Sequence, residues 1–403
     1  MRKVVQITSY KGTGSIGRIS EQIGLLANMD GWNCYIASGV RYSTPTKLNE
    51  IVFDNVFIEK CHALLSFLFD AQGLGSIIST KKLLRKLDRI HPDLIHLHNI
   101  HGYYINYPLL FNYLKKTQVA VIWTLHDCWP FTGHCAHFDD VGCSKWINGC
   151  DKCPLTHSYP KSLFFDKSKR NYLRKRKLFS SLENMTIITV SQWLKSRVEQ
   201  SFLNKYETLV INNGIDLSAF CPKESDKREK LGIKDKKIVL GVSSKWSNAK
   251  GLQEFIELSN DSLIQVVLIG VQEDLIDTLP ANLIAIKRTD SVSELAEYYS
   301  IADVFVNPTY NDSFPTVNIE SLACGTPVVT YNTGGSPEIL SPETGVVVEK
   351  GDFIALSVAI HSVLDRGKTQ YSDKCVSRAR SLFDKNDRFR EYVDLYRRVV
   401  NSR

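Results

Sequence analysis

The sequence predicts an α/β protein in two domains, each a parallel sheet wrapped by helices, with the two domains facing across a cleft. Three observations carry this reading. At 403 residues the chain exceeds one ordinary core and suits two. Short β-rich apolar runs alternate with helical patterns along its length, the order that builds parallel sheets. A polar stretch near the middle, rich in charge and holding Pro222, breaks that alternation in two.

In the first domain, residues 1–212, the strand candidates are Lys3–Ser9, Asn33–Ser38, Asp93–His98, Val119–Leu125 and Thr186–Val190. Helical patterns over Ile16–Met29, Lys81–Ile90 and Ile105–Lys115 lie between them. Residues 213–236 read as a linker, and a second series of strands follows: Lys237–Val242, Leu263–Ile269, Leu283–Ile286, Val304–Val306 and Pro327–Thr330. Helices over Leu252–Ser259, Val292–Ser300, Thr316–Ala323 and Phe353–Asp365 complete a second domain, 237–385. The segment 386–403 carries a last helix, Asp387–Val400, expected to pack back on the first domain. No repeat of solenoid period is present.

With 43% hydrophobic and 23% charged residues, the composition is that of a soluble globular protein rather than a disordered one. No stretch approaches the roughly 18 uncharged apolar residues of a spanning helix, and the start, Met1 to Ile7, runs into a strand without the apolar region of a signal peptide. A cytoplasmic protein is expected, so the ten cysteines read as reduced thiols or metal ligands rather than disulfides. Residues 1–200 hold 26 Lys and Arg against 15 Asp and Glu, whereas the remainder is slightly acidic. The excess gathers in 161–177, where Lys167, Lys169, Arg170, Arg174, Lys175, Arg176 and Lys177 lie among Leu163, Phe164, Phe165, Tyr172, Leu173, Leu178 and Phe179. Such a segment suits an anionic membrane surface at the inner face of the membrane; the alternative is a helix whose charges merely face water.

Gly12-Thr13-Gly14-Ser15-Ile16-Gly17 follows a strand and opens a helix, where glycines let backbone N–H groups approach an anion. A dinucleotide site also wants an acid after the second strand, to bind ribose. Here that region reads Ala37-Ser38-Gly39-Val40-Arg41, so an NAD enzyme is disfavoured and Arg41 leaves an NADP enzyme as a rival.

In the second domain a strand ends near Pro308, a loop carries Asp312, and a helix starts behind Pro315 at Thr316. Free backbone donors at that helix start suit a diphosphate. Asp312 and Glu320, eight residues apart, are placed to accept from sugar and ribose hydroxyls in one crevice. The run from Asn311 to Val329 resembles the E-x7-E region of the retaining family 4 (group 1) glycosyltransferases, with Asp312 for the first Glu. Gly241 to Gly251 is similar to the family's G-R-x4-K-G stretch, with Lys245 where Arg is usual. Asn213-Gly214-Ile215-Asp216, Ala302 to Pro308, and Gly334-Gly335-Ser336-Pro337-Glu338 resemble three further family segments, in order and at family spacing.

The resemblance covers nearly the whole chain and implies two Rossmann-like domains (the GT-B fold) and sugar transfer from a nucleotide diphosphate with retention at the anomeric carbon. It implies that Lys245 and Lys250 hold the donor diphosphate, that Asp312 with Ser313 and Phe314 binds the transferred sugar, and that Glu320 accepts from the ribose. Gly14 and Ser15 would approach the phosphates from the first domain, and His126, in Trp123-Thr124-Leu125-His126-Asp127, stands where the family has a histidine near the donor sugar. His96, His98 and His101 are weaker candidates that line the neighbouring loop. No divalent ion is needed for catalysis in such enzymes. The acceptor is expected to be a saccharide or lipid-linked saccharide of a bacterial surface polysaccharide.

Five of the ten cysteines fall in one loop, 128–154. Cys150 and Cys153 have the C-x2-C spacing of a zinc half-site, and with Cys135 and Cys143 could close a tetrahedral structural site; the alternative is a set of buried free thiols. Two other functions remain open on the sequence: a sugar-nucleotide epimerase or phosphorylase using the same cleft, and a zinc- and nucleic-acid-binding protein. The second leaves the motifs of the second domain unexplained, and nucleic acid is not expected as a partner.

Overall fold

Seven strands in the first half of the chain pair in parallel, in a computed structural model that describes residues 1–40, 43–233 and 235–402. Arg41, the basis of the NADP alternative, lies outside the described residues. The strands are β1 (Lys3–Thr8), β2 (Asn33–Ser38), β3 (Asn49–Glu50), β4 (Leu94–Leu97), β5 (Ala120–Leu125), β6 (Met185–Thr189) and β7 (Thr208–Val210), in the order β3-β2-β1-β4-β5-β6-β7. Helices α1 (Gly14–Met29), α2 (Val56–Phe69), α3 (Ile77–Ile90), α4 (Tyr107–Thr117), α5 (Lys145–Asn148), α6 (Ser168–Phe179) and α7 (Gln192–Gln200) connect or follow them. Val4, Ile95 and Ile122 are fully buried, as strands covered on both faces must be.

The chain divides into two compact units, Met1–Asn212 with the segment from Arg388 on, and Asn213–Asp387. The second unit holds β8 (Lys237–Val242), β9 (Ile264–Ile269), β10 (Ile284–Ile286), β11 (Val304–Asn307), β12 (Val328–Tyr331) and β13 (Gly345–Val348) in the parallel order β10-β9-β8-β11-β12-β13. Around them run α8 (Lys227–Lys230), α9 (Leu252–Leu258), α10 (Glu273–Ile276), α11 (Val292–Ile301), α12 (Thr316–Ala323), α13 (Ser336–Ile339), α14 (Phe353–Arg366) and α15 (Thr369–Phe383). Residues 213–236, read from the sequence as a linker, are built into this unit: Ile215 bridges Asp384, and Asp216 pairs with Lys385.

In both sheets the chain starts at an inner strand, builds outwards to one side, then returns to build on the other. That reversal leaves a crevice at the carboxyl ends of the two inner strands, β1 and β4 in one unit and β8 and β11 in the other. The last helix, α16 (Lys385–Asn401), joins the core of the first unit, where Phe389, Tyr392, Val393, Leu395 and Tyr396 pack with Val4, Trp32 and Ile122.

Two long elements, α2 and α15, have no counterpart in the sequence reading. Helix α2 buries Glu59, His62 and Ser66 and turns most of its apolar residues to solvent, so its pattern does not announce a core-facing stripe. Asn55 caps it by accepting from Ile58 N at 3.0 Å.

Candidate functional site

The loops after β8 and β11 bring Lys250 to Asp312, two of the residues predicted from the sequence. Lys250 Nζ donates to Asp312 Oδ2 (3.0 Å), Asn311 O (3.2 Å) and Thr309 Oγ1 (3.3 Å), so all three ammonium hydrogens are engaged within the loop. Asp312 is itself fixed, because its Oδ1 accepts from Phe314 N at 3.2 Å. Lys245 stands exposed on the facing loop, whose backbone is tied by Trp246 N donating to Gln272 Oε1 at 2.8 Å. Glu320 is buried in α12 and accepts from Tyr299 OH at 3.0 Å; burial and this carboxylate together hold the Tyr299 hydroxyl protonated. No local pattern marks Tyr299, which comes from α11 and meets Glu320 only through the fold.

Gly334 has φ +56, and a Cβ there would stand 1.6 Å from Asp312 O. The Gly334-Gly335 turn is therefore pressed against the Asp312 loop, an approach only glycine permits. Around this junction four buried side-chain atoms have no protein partner: Ser313 Oγ, Thr333 Oγ1, Ser336 Oγ and Asn318 Nδ2. Buried polar groups are normally satisfied, so such a concentration marks a place where a polar ligand completes the bonding. Ser313 was a candidate from the sequence; Thr333, Ser336 and Asn318 were not, although the first two flank the Gly-Gly pair and Asn318 lies between Asp312 and Glu320.

In the first unit, Gly14 (φ +65) opens α1 with nothing within 4 Å of where a Cβ would lie, and Thr13 makes no side-chain cap. The first-turn donors near Gly14 and Ser15 are thus not taken by a cap, as an anion site requires. His126 follows β5, half-buried, with Nε2 3.2 Å from His98 Nδ1; His98 Nε2 reaches Gln6 Oε1 at 3.0 Å. Burial lowers His126 to about 4 and His98 well below the usual histidine range, so both rings are neutral near pH 7. His96 is sealed in the core between Tyr396 OH (2.6 Å) and Thr124 Oγ1 (2.8 Å), a structural histidine. His101 pairs with Asp127 at 2.9 Å. Burial alone would raise Asp127, but His101 and the N–H of Trp129 hold it at about 2.

All four cysteines singled out in the 128–154 loop, Cys135, Cys143, Cys150 and Cys153, line one cavity of ≈ 10 Å³, room for about one water-sized atom. Cys135 donates to Cys153, which lowers the Cys153 thiol to about 7, while burial pushes Cys150 up to about 11. Among the described residues, no group of three or more His, Cys, Asp or Glu side chains is disposed as it stands to hold a metal ion.

The basic segment 161–177 is only partly a solvent-facing helix. In α6 Tyr172, Phe179 and Lys175 are buried, and Lys175 Nζ lies 3.4 Å from the centre of the Trp129 ring while donating to Trp129 O at 2.7 Å. Burial lowers this ammonium to about 7. Leu163, Phe164, Phe165 and Leu173 remain exposed. Among the described residues no helix is long and apolar enough to cross a membrane.

Two doubly wound units, one with a cation, a carboxylate and unpartnered hydroxyls at its strand-end crevice, define an enzyme of the two-domain glycosyltransferase class. The comparisons make the family specific. The Glycosyl transferases group 1 profile matches residues 223–382, and the Glycosyltransferase Family 4 profile matches residues 49–219. Both are glycosyltransferase profiles, and together they span most of the chain. WcaC of Escherichia coli (strain K12), named as a colanic acid biosynthesis glycosyl transferase, is 24% identical over 326 residues, 76% of this chain and 77% of that protein. CapM of Staphylococcus aureus, named as a capsular polysaccharide biosynthesis glycosyltransferase, is 30% identical over 200 residues, 44% of this chain and 52% of its own. Among solved structures, sucrose-phosphate synthase from Thermosynechococcus elongatus superposes with a TM-score of 0.69 at 18% identity over 100% of both chains. Anabaena HepE in complex with UDP-glucose does so with 0.65 at 15% identity, over 97% of this chain and 98% of that one. These likenesses establish the fold.

Proposed function

We propose that this glycosyltransferase moves a sugar, with retention, from a nucleotide-diphosphate sugar to a saccharide or lipid-linked saccharide during assembly of a surface polysaccharide. The observation that carries the donor assignment is the junction of the Asp312 loop, α12 and the Gly334-Gly335 turn, with its four unpartnered buried polar atoms beside Lys250. The polysaccharide role follows the relatives named for colanic acid and capsule.

In this reading Lys245 and Lys250 stabilise the charge that develops on the leaving diphosphate. Lys250 is held in place by Asp312, so the phosphate takes over one of its acceptors when the donor binds. Asp312, Ser313 and Phe314 receive the transferred sugar and Glu320 the ribose. Gly14 and Ser15 offer backbone donors to the phosphates. His126, neutral through burial, donates to a sugar hydroxyl rather than acting as an acid. The departing phosphate oxygen takes the acceptor's proton on the same face, which preserves the anomeric configuration.

We also propose that Cys135, Cys143, Cys150 and Cys153 hold a structural zinc. Their shared cavity supports it. No observation favours the epimerase, phosphorylase or nucleic-acid readings.

Thermal-shift measurements with UDP-, GDP- and ADP-sugars test the donor assignment. A ligand at about 100 times its dissociation constant adds about 2.7 kcal/mol of stability, so one of the three series is expected to raise Tm clearly. No shift with any nucleotide sugar, at concentrations far above ordinary affinities, sinks the assignment.

A further inference from the structure

A buried pair fastens the 128–154 loop to α2. His134, 2% exposed, turns Nδ1 to Asp70 Oδ1 at 2.7 Å. Asp70 caps α2 at its C-terminal end and is as deeply buried. Its Oδ2 accepts from Lys167 N at 2.7 Å, and its backbone O accepts from Asn171 Nδ2 at 2.9 Å. A carboxylate held in this way accepts only, so the Nδ1 facing it is the ring nitrogen that carries the proton. Nε2 is then a bare lone pair, buried and without a protein partner. Protonating it as well would put a buried N–H where nothing accepts it.

His134 lines the cavity that Cys135, Cys143, Cys150 and Cys153 share, which admits one small occupant. Three of these sulfurs sit in hydrogen bonds of the kind that support a thiolate. Cys150 Sγ accepts from Gly133 N at 3.2 Å, and the backbone there is so close that a Cβ on Gly133 would stand 2.8 Å from Cys150 Cβ. Cys153 accepts from Leu155 N and from the Cys135 thiol. Cys143 is tied through its backbone instead, its N–H to Phe138 O at 3.2 Å and its O to Trp146 Nε1 at 3.0 Å. Among the described residues, no three of these side chains form a closed ligand set as they stand. What singles out His134 is its carboxylate partner together with its bare nitrogen.

We propose that His134 Nε2 is a zinc ligand, completing a Cys3His site with Cys135, Cys150 and Cys153, and that Asp70 orients it. A metal-ligating histidine regularly passes its other N–H to a carboxylate, which fixes the ring and raises its basicity. Tetrahedral zinc takes this ligand set readily. The proposal rests on the structural-zinc reading and exchanges one of its ligands, Cys143 for His134. Because Asp70 also holds Lys167 N and Asn171, the site ties the cysteine loop to the end of α2 and the start of α6.

The test is X-ray absorption at the zinc edge on the full chain, purified without chelator, with zinc content measured alongside. The expected shell is one nitrogen at about 2.0–2.1 Å and three sulfurs at about 2.3 Å. In competition with a chromogenic chelator, Asp70→Asn is expected to bind zinc about 10- to 100-fold more weakly, and Cys143→Ser to bind it as the wild type does. His134→Ala should lose zinc, and His134→Cys should regain it with a shell of four sulfurs. A wild-type shell of four sulfurs, wild-type affinity in His134→Ala, or loss of zinc in Cys143→Ser overturns the proposal and leaves the structural-zinc reading in place. Protein free of zinc overturns both.

Discussion

Glu320 illustrates what a single side chain does at the proposed donor crevice. Its carboxylate is buried beside Tyr299, which donates to one oxygen at 3.0 Å. In Glu320→Gln the charge is lost while the shape is kept, and charge-assisted hydrogen bonds of this kind are worth roughly 1.5–3 kcal/mol. Donor kcat/KM is therefore expected to fall about 10- to 100-fold with little change in Tm; unchanged kinetics would remove Glu320 from the donor site. Tyr299→Phe acts through positioning, and should raise donor KM more than it lowers kcat.

The buried histidines set a pH dependence of stability. His62 and His126 are lowered to about 4 and His96 to about 3, all by burial, whereas the unfolded chain titrates them near 6.5. Below pH 6.5 the unfolded state therefore binds protons that the folded state refuses, and stability falls as pH drops towards 4. Each such histidine contributes up to about 1.4 kcal/mol per pH unit across that window. Asp127, at about 2 when folded, adds a further loss below the ordinary carboxylate range. Melting curves should show Tm dropping between pH 6.5 and 4, and a flat profile there would mean these rings are open to protons. Little of this was legible beforehand. The motif fixes Lys250, Asp312 and Glu320 by spacing along the chain, but that Lys250 answers to Asp312 and Glu320 to Tyr299 depends on contacts across loops and helices that no local pattern encodes.

Among the elements, the 128–154 loop has a distinct signature to check. If its four cysteines hold zinc, protein purified without chelator should carry about one zinc per chain, and chelation should lower Tm. Metal-free protein of equal stability would make it a thiol-rich loop. Here the sequence supplied the residues and the fold supplied their convergence on one cavity. Helix α2 shows the opposite case. Strands such as Ala120–Leu125 are nearly continuous apolar runs and are plain in the sequence. Helix α2 escapes because periodicity arguments assume that apolar residues face the core, and its polar residues do so instead. Helix α6 misleads in a related way. Its run of cations reads as a charged outer face, yet Lys175 is drawn inside against Trp129.

At the scale of the whole molecule, the proposed donor crevice and its supporting helices lie in a unit formed by one continuous stretch, Asn213–Asp387, whereas the first unit is closed by α16. Tyr396→Ala would open a cavity beside Trp32 and leave Nδ1 of the buried His96 without its partner. Replacing a large buried aromatic costs roughly 3–5 kcal/mol, so this variant should show an early transition assigned to the first unit. The second unit should keep its own melting and its response to nucleotide sugar; simultaneous loss of both would mean that the units unfold as one.

The placement of α16 also bears on how the protein is made. Domains commonly fold in turn as they leave the ribosome, the N-terminal one first. Here the first unit waits for Phe389, Tyr392 and Tyr396, which are translated only after the entire second unit. The nascent first unit emerges with a groove where Val4, Trp32 and Ile122 await their partners, while the later-born unit already has all its strands. A message cut short before codon 389 would therefore yield a complete second unit joined to a first unit that lacks part of its core.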